Sequence, residues 1–214
     1  MNTFEQHDER LQAVWDLPVR IGHWLLAGSV LTALLTGESE SWRLVHLGAG
    51  ALAVAVVLFR LVWGFCGTAP ARFASFVTGP RQVWAYLQTL LANRPQHHTG
   101  HNPAGAWAIV GLLTLVLLTG LSGAAAYWEW WGAGDLFGEI HEGLSSGVIL
   151  LVGVHLLGVL VGSWSHHENL VRAMLTGYKR GNPGEGRQSN APLAAVVLVL
   201  LALWSTWFAI AYAG

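Results

Sequence analysis

The sequence predicts an all-α integral membrane protein: a four-helix transmembrane bundle followed by a fifth, C-terminal transmembrane helix. Three observations predict it. The 214 residues are 53% hydrophobic and only 11% charged, about half the charged share of a soluble domain. Five apolar segments of roughly 20 residues recur along the chain, each long enough to cross a bilayer as a helix. Four histidines, His23, His46, His141 and His155, lie in or at the ends of those segments, where an imidazole is costly and marks a functional site.

The segments follow one another in order. The first, 19–37 (VRIGHWLLAGSVLTALLTG), carries His23, and the second, 44–65 (LVHLGAGALAVAVVLFRLVWGF), carries His46 at its start. The third, 105–127, carries no histidine. The fourth, 141–164, opens on His141 and holds His155 further in, and the fifth is 192–212 (PLAAVVLVLLALWSTWFAIAY). The domain plan is an N-terminal tail 1–17, a four-helix unit 18–180, a linker 181–190 (GNPGEGRQSN) and the additional helix 191–214. Gly, Pro, Ser and Asn dominate the linker, so the fifth helix reads as an addition to a four-helix core.

Charge orients the spans. Arg10, Arg20, Arg60, Arg72, Arg81, Arg94, Arg172, Lys179, Arg180 and Arg187 fall before or at the start of the first span, or in or beside the second and fourth connections, and Arg43 alone lies in the first or third. The positive-inside rule then puts the N-terminus in the cytoplasm and the C-terminus outside, in an inner (plasma) membrane. Tryptophans agree. Trp42, Trp128, Trp130 and Trp131 fall at the expected outer surface, and Trp15, Trp63, Trp84, Trp107 and Trp164 at the inner one, as an aromatic belt requires. The tail MNTFEQHDERLQAVWD lacks a basic-then-apolar signal peptide, so the first span is expected to serve as its own uncleaved signal. In the long inner connection, 79–94 spaces Val83, Tyr86, Leu87, Leu90 and Leu91 as a helix does. It is an amphipathic segment lying on the membrane or on the end of the bundle. A net charge of −1 offers no basic surface for nucleic acid, and one cysteine, Cys66, builds neither an internal disulfide nor a thiolate cluster.

The histidines carry the chemistry. His141 and His155 are 14 residues apart. At about 100° per residue this returns them to within roughly 40° of one face, about 21 Å apart along the helix. The topology supplies a partner for each: His46 with His141 near the outer surface, His23 with His155 toward the inner one. Facing imidazoles at two depths suit bis-histidine axial ligation of two haems, one above the other. Such iron has no open position and transfers electrons rather than binding oxygen. No CxxCH occurs, so the haems would be non-covalent haem b. Arg20 and Arg60 on the inner side and Arg43 on the outer are candidate partners for propionates. Gly22, Gly28, Gly48, Gly50, Gly143, Gly147, Gly153, Gly158 and Gly162 offer either helix packing or clearance for a flat ring. His97, His98 and His101 in HHTGH form a weaker metal candidate without a nearby carboxylate or thiolate. His166 and His167 read as interfacial.

Taken together, VWDLPVRIGHW (14–24), HLGAGALAVAVVLFRLVWGF (46–65), ARFASF (71–76), GHNPAG (100–105) and the 140–179 stretch with IHE, VHLLGVL and HHENLVRAMLTGYK resemble the bacterial cytochrome b561 and nickel-hydrogenase b-type cytochrome family. The resemblance covers about residues 12–180. It implies a four-helix core with two b haems, axial ligands at His23, His46, His141 and His155, and electron exchange with membrane quinone. The expected function is transmembrane electron transfer between quinone and a redox partner, either a c-type cytochrome or an oxidoreductase such as a nickel hydrogenase that this chain would anchor. On that view it is an electron-transfer cytochrome working within a quinone-linked oxidoreductase. Glu129, Asp135, Glu139 and Glu142 form an acidic outer rim that would steer a basic partner. No quinone-site signature stands out in the sequence; Trp24, Arg20 and His155 are candidate neighbours for quinone on the inner side. A metal or proton transporter is the contrasting reading. It calls for acidic residues beside the histidines within the spans, and only Glu142, at a span's outer end, comes near that.

Overall fold

The computed structural model describes residues 10–92, 98–181, 184 and 186–213. In chain order it comprises strand β1 (Arg10–Ala13), helices α1 (Leu17–Thr36), α2 (Arg43–Cys66), α3 (Phe73–Phe76), α4 (Pro80–Leu91), α5 (Pro103–Tyr127), α6 (Gly134–Ser165) and α7 (Leu170–Thr176), strand β2 (Tyr178–Gly181) and helix α8 (Pro192–Ala213). Short 3-10 turns at Glu40–Trp42, Ala69–Ala71 and Trp130–Gly132 bend the chain between helices. Five helices, α1, α2, α5, α6 and α8, are long and apolar enough to cross a membrane.

Two of the spanning helices, α1 and α5, start where the sequence supplies a cap. Asp16 caps α1, its carboxylate accepting from the Val19 N–H at 2.9 Å, and Asn102 caps α5, accepting from Gly105 N–H at 2.7 Å. A proline follows each cap in the first turn, where its missing N–H costs nothing. The fourth span begins seven residues earlier than the sequence suggests. Gly134, Asp135, Gly138 and Glu139 read as loop, yet the helix runs through them for 32 residues, about 48 Å against a hydrocarbon core of about 30 Å.

Helices α1 and α2 form one hairpin, α5 and α6 another, and α2 joins the two by packing on α5. The shared core holds Ala53, Val57, Leu113, Val116 and Val148. Helix α8 lies against α2 and α1, with Leu198 fully buried beside Val56 and Ala202. Helix α6 packs on α5 but has little direct contact with α1 and α2.

One end of the bundle carries a two-stranded ribbon the sequence did not suggest. β1 pairs antiparallel with β2, from Arg10↔Gly181 to Ala13↔Tyr178. Val14 and Trp15 donate to the Gly177 carbonyl (2.8 and 3.1 Å) and Arg187 N–H to that of Ala13 (2.6 Å). Gly177 sits at φ +87°, and a Cβ there would fall 2.7 Å from the Trp15 carbonyl oxygen; glycine is the residue this helix terminus admits. Lys179, almost fully buried, donates to the carbonyls of His98 and Gly100 and faces Glu168 at 3.9 Å. Burial pulls its pKa below the usual lysine value, with Glu168 opposing. This is the ribbon end; the opposite one, with the turns 40–42 and 130–132, is the far end.

Tryptophan placement divides. Trp128, Trp130 and Trp131 are exposed at the far end, and Trp84, Trp107 and Trp164 at the ribbon end. Trp15 and Trp63, expected in the belt, pack instead: Trp15 is buried and Trp63 donates to Asp16 at 3.0 Å. Segment 80–91 is helical and tucks Tyr86 inward beside His98, leaving Trp84 exposed.

Candidate functional site

The structure brings the four span histidines together as two pairs. His46, in the first turn of α2, faces His141 of α6 with ring centroids 6.0 Å apart. His23, in the second turn of α1, faces His155 of α6 at 6.4 Å. Both α6 histidines reach across to the α1–α2 hairpin, about 21 Å apart along the helix axis. Two metal–imidazole bonds of about 2 Å each, plus two ring radii, together span roughly 6 Å, so each pair has the separation of two rings sharing one ion.

The far-end pair is oriented by backbone. His46 Nδ1 lies 2.9 Å from the Ala33 carbonyl oxygen, and His141 Nδ1 lies 2.8 Å from that of Thr119. A carbonyl can only accept, so Nδ1 carries a proton in both rings; the neutral tautomer with that proton keeps the Nε2 lone pair, the form that binds a metal. The acceptors exist for local reasons. Ala33 is in the last turn of α1, where carbonyls lack helical partners. Thr119 is approached because Gly123 leaves room: a Cβ on Gly123 would fall 2.8 Å from His141 Nδ1 and Cε1.

The ribbon-end pair is held differently. His23 Nδ1 is buried without a hydrogen-bond partner, and so are Arg20 Nε and Arg60 Nη1. The His23 ring instead meets Trp24 edge-on at 5.0 Å. Arg60 stacks over Phe73 at 4.9 Å and Phe76 at 6.0 Å, and Arg20 donates to the Leu175 carbonyl. Beneath them, Asp16 also accepts from Thr68 Oγ1 at 2.6 Å, tying α1 to the chain after α2. His101 is wedged against Trp15 (4.4 Å) and Phe76 (4.7 Å). Burial, with the charges of Arg60 and Lys179, lowers its pKa to about 3, so it is neutral at physiological pH. Asp16 was not legible as a site residue, and His101 was read only as part of a weaker metal candidate with His97 and His98. A cap aspartate and a loop histidine look ordinary until chain segments far apart in sequence meet around them.

The remaining candidates fall elsewhere. Arg43 pairs with Glu40 at 3.3 Å and lies over the Tyr127 ring at 5.9 Å. Among the candidate glycines, Gly22 and Gly48 face α8 through Leu198 and Ile210, Gly147 faces Leu115 and Gly162 faces Leu170. Gly28, Gly50, Gly143, Gly153 and Gly158 have no atom within 4 Å of where a Cβ would stand, and Gly50 and Gly158 each lie one turn from a pair histidine. His97 lies outside the described residues. Among the described residues, no group of three His, Cys, Asp or Glu side chains could hold a metal ion. Cys66 is exposed at the end of α2.

The donor set fits a flat iron macrocycle. It comprises paired imidazoles, unpartnered guanidinium N–H groups at one end, and glycines with free space one turn from the pair histidines.

Comparison with known proteins agrees. The profile of the prokaryotic cytochrome b561 family matches residues 14–177. The chain is 28% identical over 209 residues to a probable Ni/Fe-hydrogenase B-type cytochrome subunit of Rhizobium leguminosarum bv. viciae, covering 77% of this chain and 87% of that protein. It is 29% identical over 143 residues to a probable Ni/Fe-hydrogenase 1 B-type cytochrome subunit of Escherichia coli (54% and 60% covered). To a Bradyrhizobium diazoefficiens protein of the first description it is 23% identical over 210 residues (78% and 85% covered). No solved structure matches. A match over most of the chain, five apolar helices and paired intramembrane histidines lead to one conclusion: this multi-pass membrane protein belongs to the prokaryotic cytochrome b561 family of haem b electron carriers.

Proposed function

We propose that the chain carries electrons across the inner membrane through two haem b groups, one at each histidine pair. The observation that carries this reading is the placement of His141 and His155 on one helix, each facing a histidine of another helix at about 6 Å. His46 and His141 ligate the far-end iron, and His23 and His155 the ribbon-end iron. Each haem supplies a one-electron Fe(III)/Fe(II) couple. The protein orients the imidazoles, surrounds them with apolar helix and sets charge near them. Arg60 is the propionate partner at the ribbon end. Arg43, which pairs with Glu40, is its counterpart at the far end. Arg20, the third candidate, is turned toward Leu175.

Among the described residues, nine of the ten cations lie in segments at the ribbon end, which supports that end facing the cytoplasm and the far end the periplasm. Membrane quinone is the partner on the membrane side. The relatives' names support a hydrogenase as the partner at the periplasmic face. The acidic rim of Glu129, Asp135, Glu139 and Glu142 supports a second version, in which a basic c-type cytochrome docks there.

The test is a reduced-minus-oxidised spectrum of the purified protein with pyridine haemochrome quantitation. Two low-spin b haems per chain are expected; a folded, haem-supplied preparation with none would sink the proposal. Co-purification of a hydrogenase separates the two partner versions.

A further inference from the structure

At the ribbon end a ledge crosses from α2 to α5. The chain leaves α2, folds back through α3 and continues into α4, which packs on α5. Phe73 of α3 is set into α2 at Gly64, where a Cβ would overlap its ring, and the same ring lies under Arg60 at 4.9 Å. On the other side, Trp107 Nε1 of α5 donates to the Thr78 carbonyl between α3 and α4 at 2.9 Å. The ledge is thus pinned to both helices. Against it, a groove of about 330 Å³ opens between α2, α3 and α5, lined by Leu61, Phe73, Val77, Val110, Leu113 and Thr114. Its walls carry no charged side chain. The cations stand on the ledge itself: Arg72 immediately precedes Phe73, and Arg81 is in the first turn of α4, four residues after Val77, both exposed.

We infer that this groove seats one acyl chain of an anionic phospholipid, with the phosphate head group held at the ledge by Arg72 and Arg81. The inference rests on the chain spanning a membrane and not on the electron-carrier reading. Three features select this occupant. The ledge closes the groove at one end, so a partner helix about 10 Å across has no lane out to the interface, whereas an acyl chain ends there in its head group. No cation lies among the groove walls to meet a quinone carbonyl, and Thr114 is the one polar side chain there. The charge is complementary. Two guanidinium groups stand where the exposed Trp84 and Trp107 mark the interfacial level, the depth at which anionic head groups lie.

Photolabelling of the full chain in phosphatidylcholine nanodiscs tests this, using a phosphatidylglycerol with a diazirine on one acyl chain and peptide mapping. The exposed apolar face of α8 (Leu193, Val196, Leu200) reports ordinary surrounding lipid. Label on peptides containing 61–77 and 110–114 is expected to exceed that background. Unlabelled phosphatidylglycerol should compete about tenfold better than phosphatidylcholine, the preference that two interfacial cations supply, and less so at high salt. The double variant Arg72→Gln, Arg81→Gln should bring the two competitors to parity. Val110→Trp, which fills the groove, should reduce its label to the α8 level with the α8 label unchanged. Ala74→Trp fills it from the opposite wall and serves if the first variant does not fold. Groove label no stronger than that on α8, or competed equally by both lipids, would make the occupant ordinary surrounding lipid and overturn the inference. So would label that ubiquinone displaces and phosphatidylglycerol does not, or a phosphatidylglycerol preference that survives loss of both arginines.

Discussion

The two histidine pairs have matching ring spacings and opposite surroundings. At the far end both rings donate to backbone carbonyls, Ala33 and Thr119. At the ribbon end His23 Nδ1 is buried without a hydrogen-bond partner, and the neighbourhood is cationic and aromatic: Arg20, Arg60, Trp24 and Phe76, with neutral His101 below. The difference teaches how one helix can serve two sites with distinct properties. Spacing on α6 sets where the sites are, and the partner helices set what each is like. A ring that donates from Nδ1 is a stronger electron donor to its metal and favours the oxidised state; nearby guanidinium favours the reduced one. The far-end site should therefore be the lower in potential, and electrons should run from far end to ribbon end.

The largest break in the comparison is to remove one partner. His155→Ala should lose the ribbon-end haem and keep the far-end one, halving the pyridine haemochrome value. His141→Ala should do the reverse. Loss of both haems from either folded variant would contradict independent pairs.

Gly123→Ala comes next, because the new methyl would stand 2.8 Å from the His141 ring. It should displace that ring from Thr119 and shift or empty the far-end site, with the ribbon-end spectrum unchanged. A redox titration of the parent protein should resolve two steps. Arg60→Gln should lower only the more positive one, by roughly 60 mV, a tenfold change in a one-electron equilibrium. Equal movement of both steps would remove Arg60 from the ribbon-end site.

The smallest effect concerns pH. His101 has its pKa lowered to about 3 in the folded protein from an ordinary value of about 6.5. Between those values the unfolded chain binds more protons, so stability rises with pH there. The contribution of His101 is complete above about pH 6.5 and is lost as pH falls toward 3. Acidification should disturb the ribbon-end spectrum before the far-end one, and His101→Phe, which keeps the contacts with Trp15 and Phe76, should reduce that sensitivity.

The spans and the four histidines were legible because each is written locally. Twenty apolar residues must be helical in lipid, and 14-residue spacing fixes a face and a height. What was not legible depends on contacts between distant parts of the chain. The β1–β2 ribbon joins segments of four residues with no alternating pattern, RLQA and YKRG. Gly123 is one of 26 glycines until the His141 ring is seen against it. Trp15 and Trp63 sit at span ends as belt residues do, and only the position of Asp16 shows them to be packing partners. The early start of α6 was hidden by glycines and acids that resemble a loop.

The ribbon has a consequence for biosynthesis. Its two strands lie at opposite ends of the cytochrome unit, Arg10 opposite Gly181. It cannot close before residue 181 has left the ribosome, by which time α1, α2, α5 and α6 are already made. Until that moment the floor formed by Trp15, Gly177 and Lys179 is missing, and the adjacent histidine pair is reachable from the side of synthesis. Closure of the ribbon therefore follows synthesis of all four helices of the cytochrome unit, and the two ends of that unit meet only when the unit is complete.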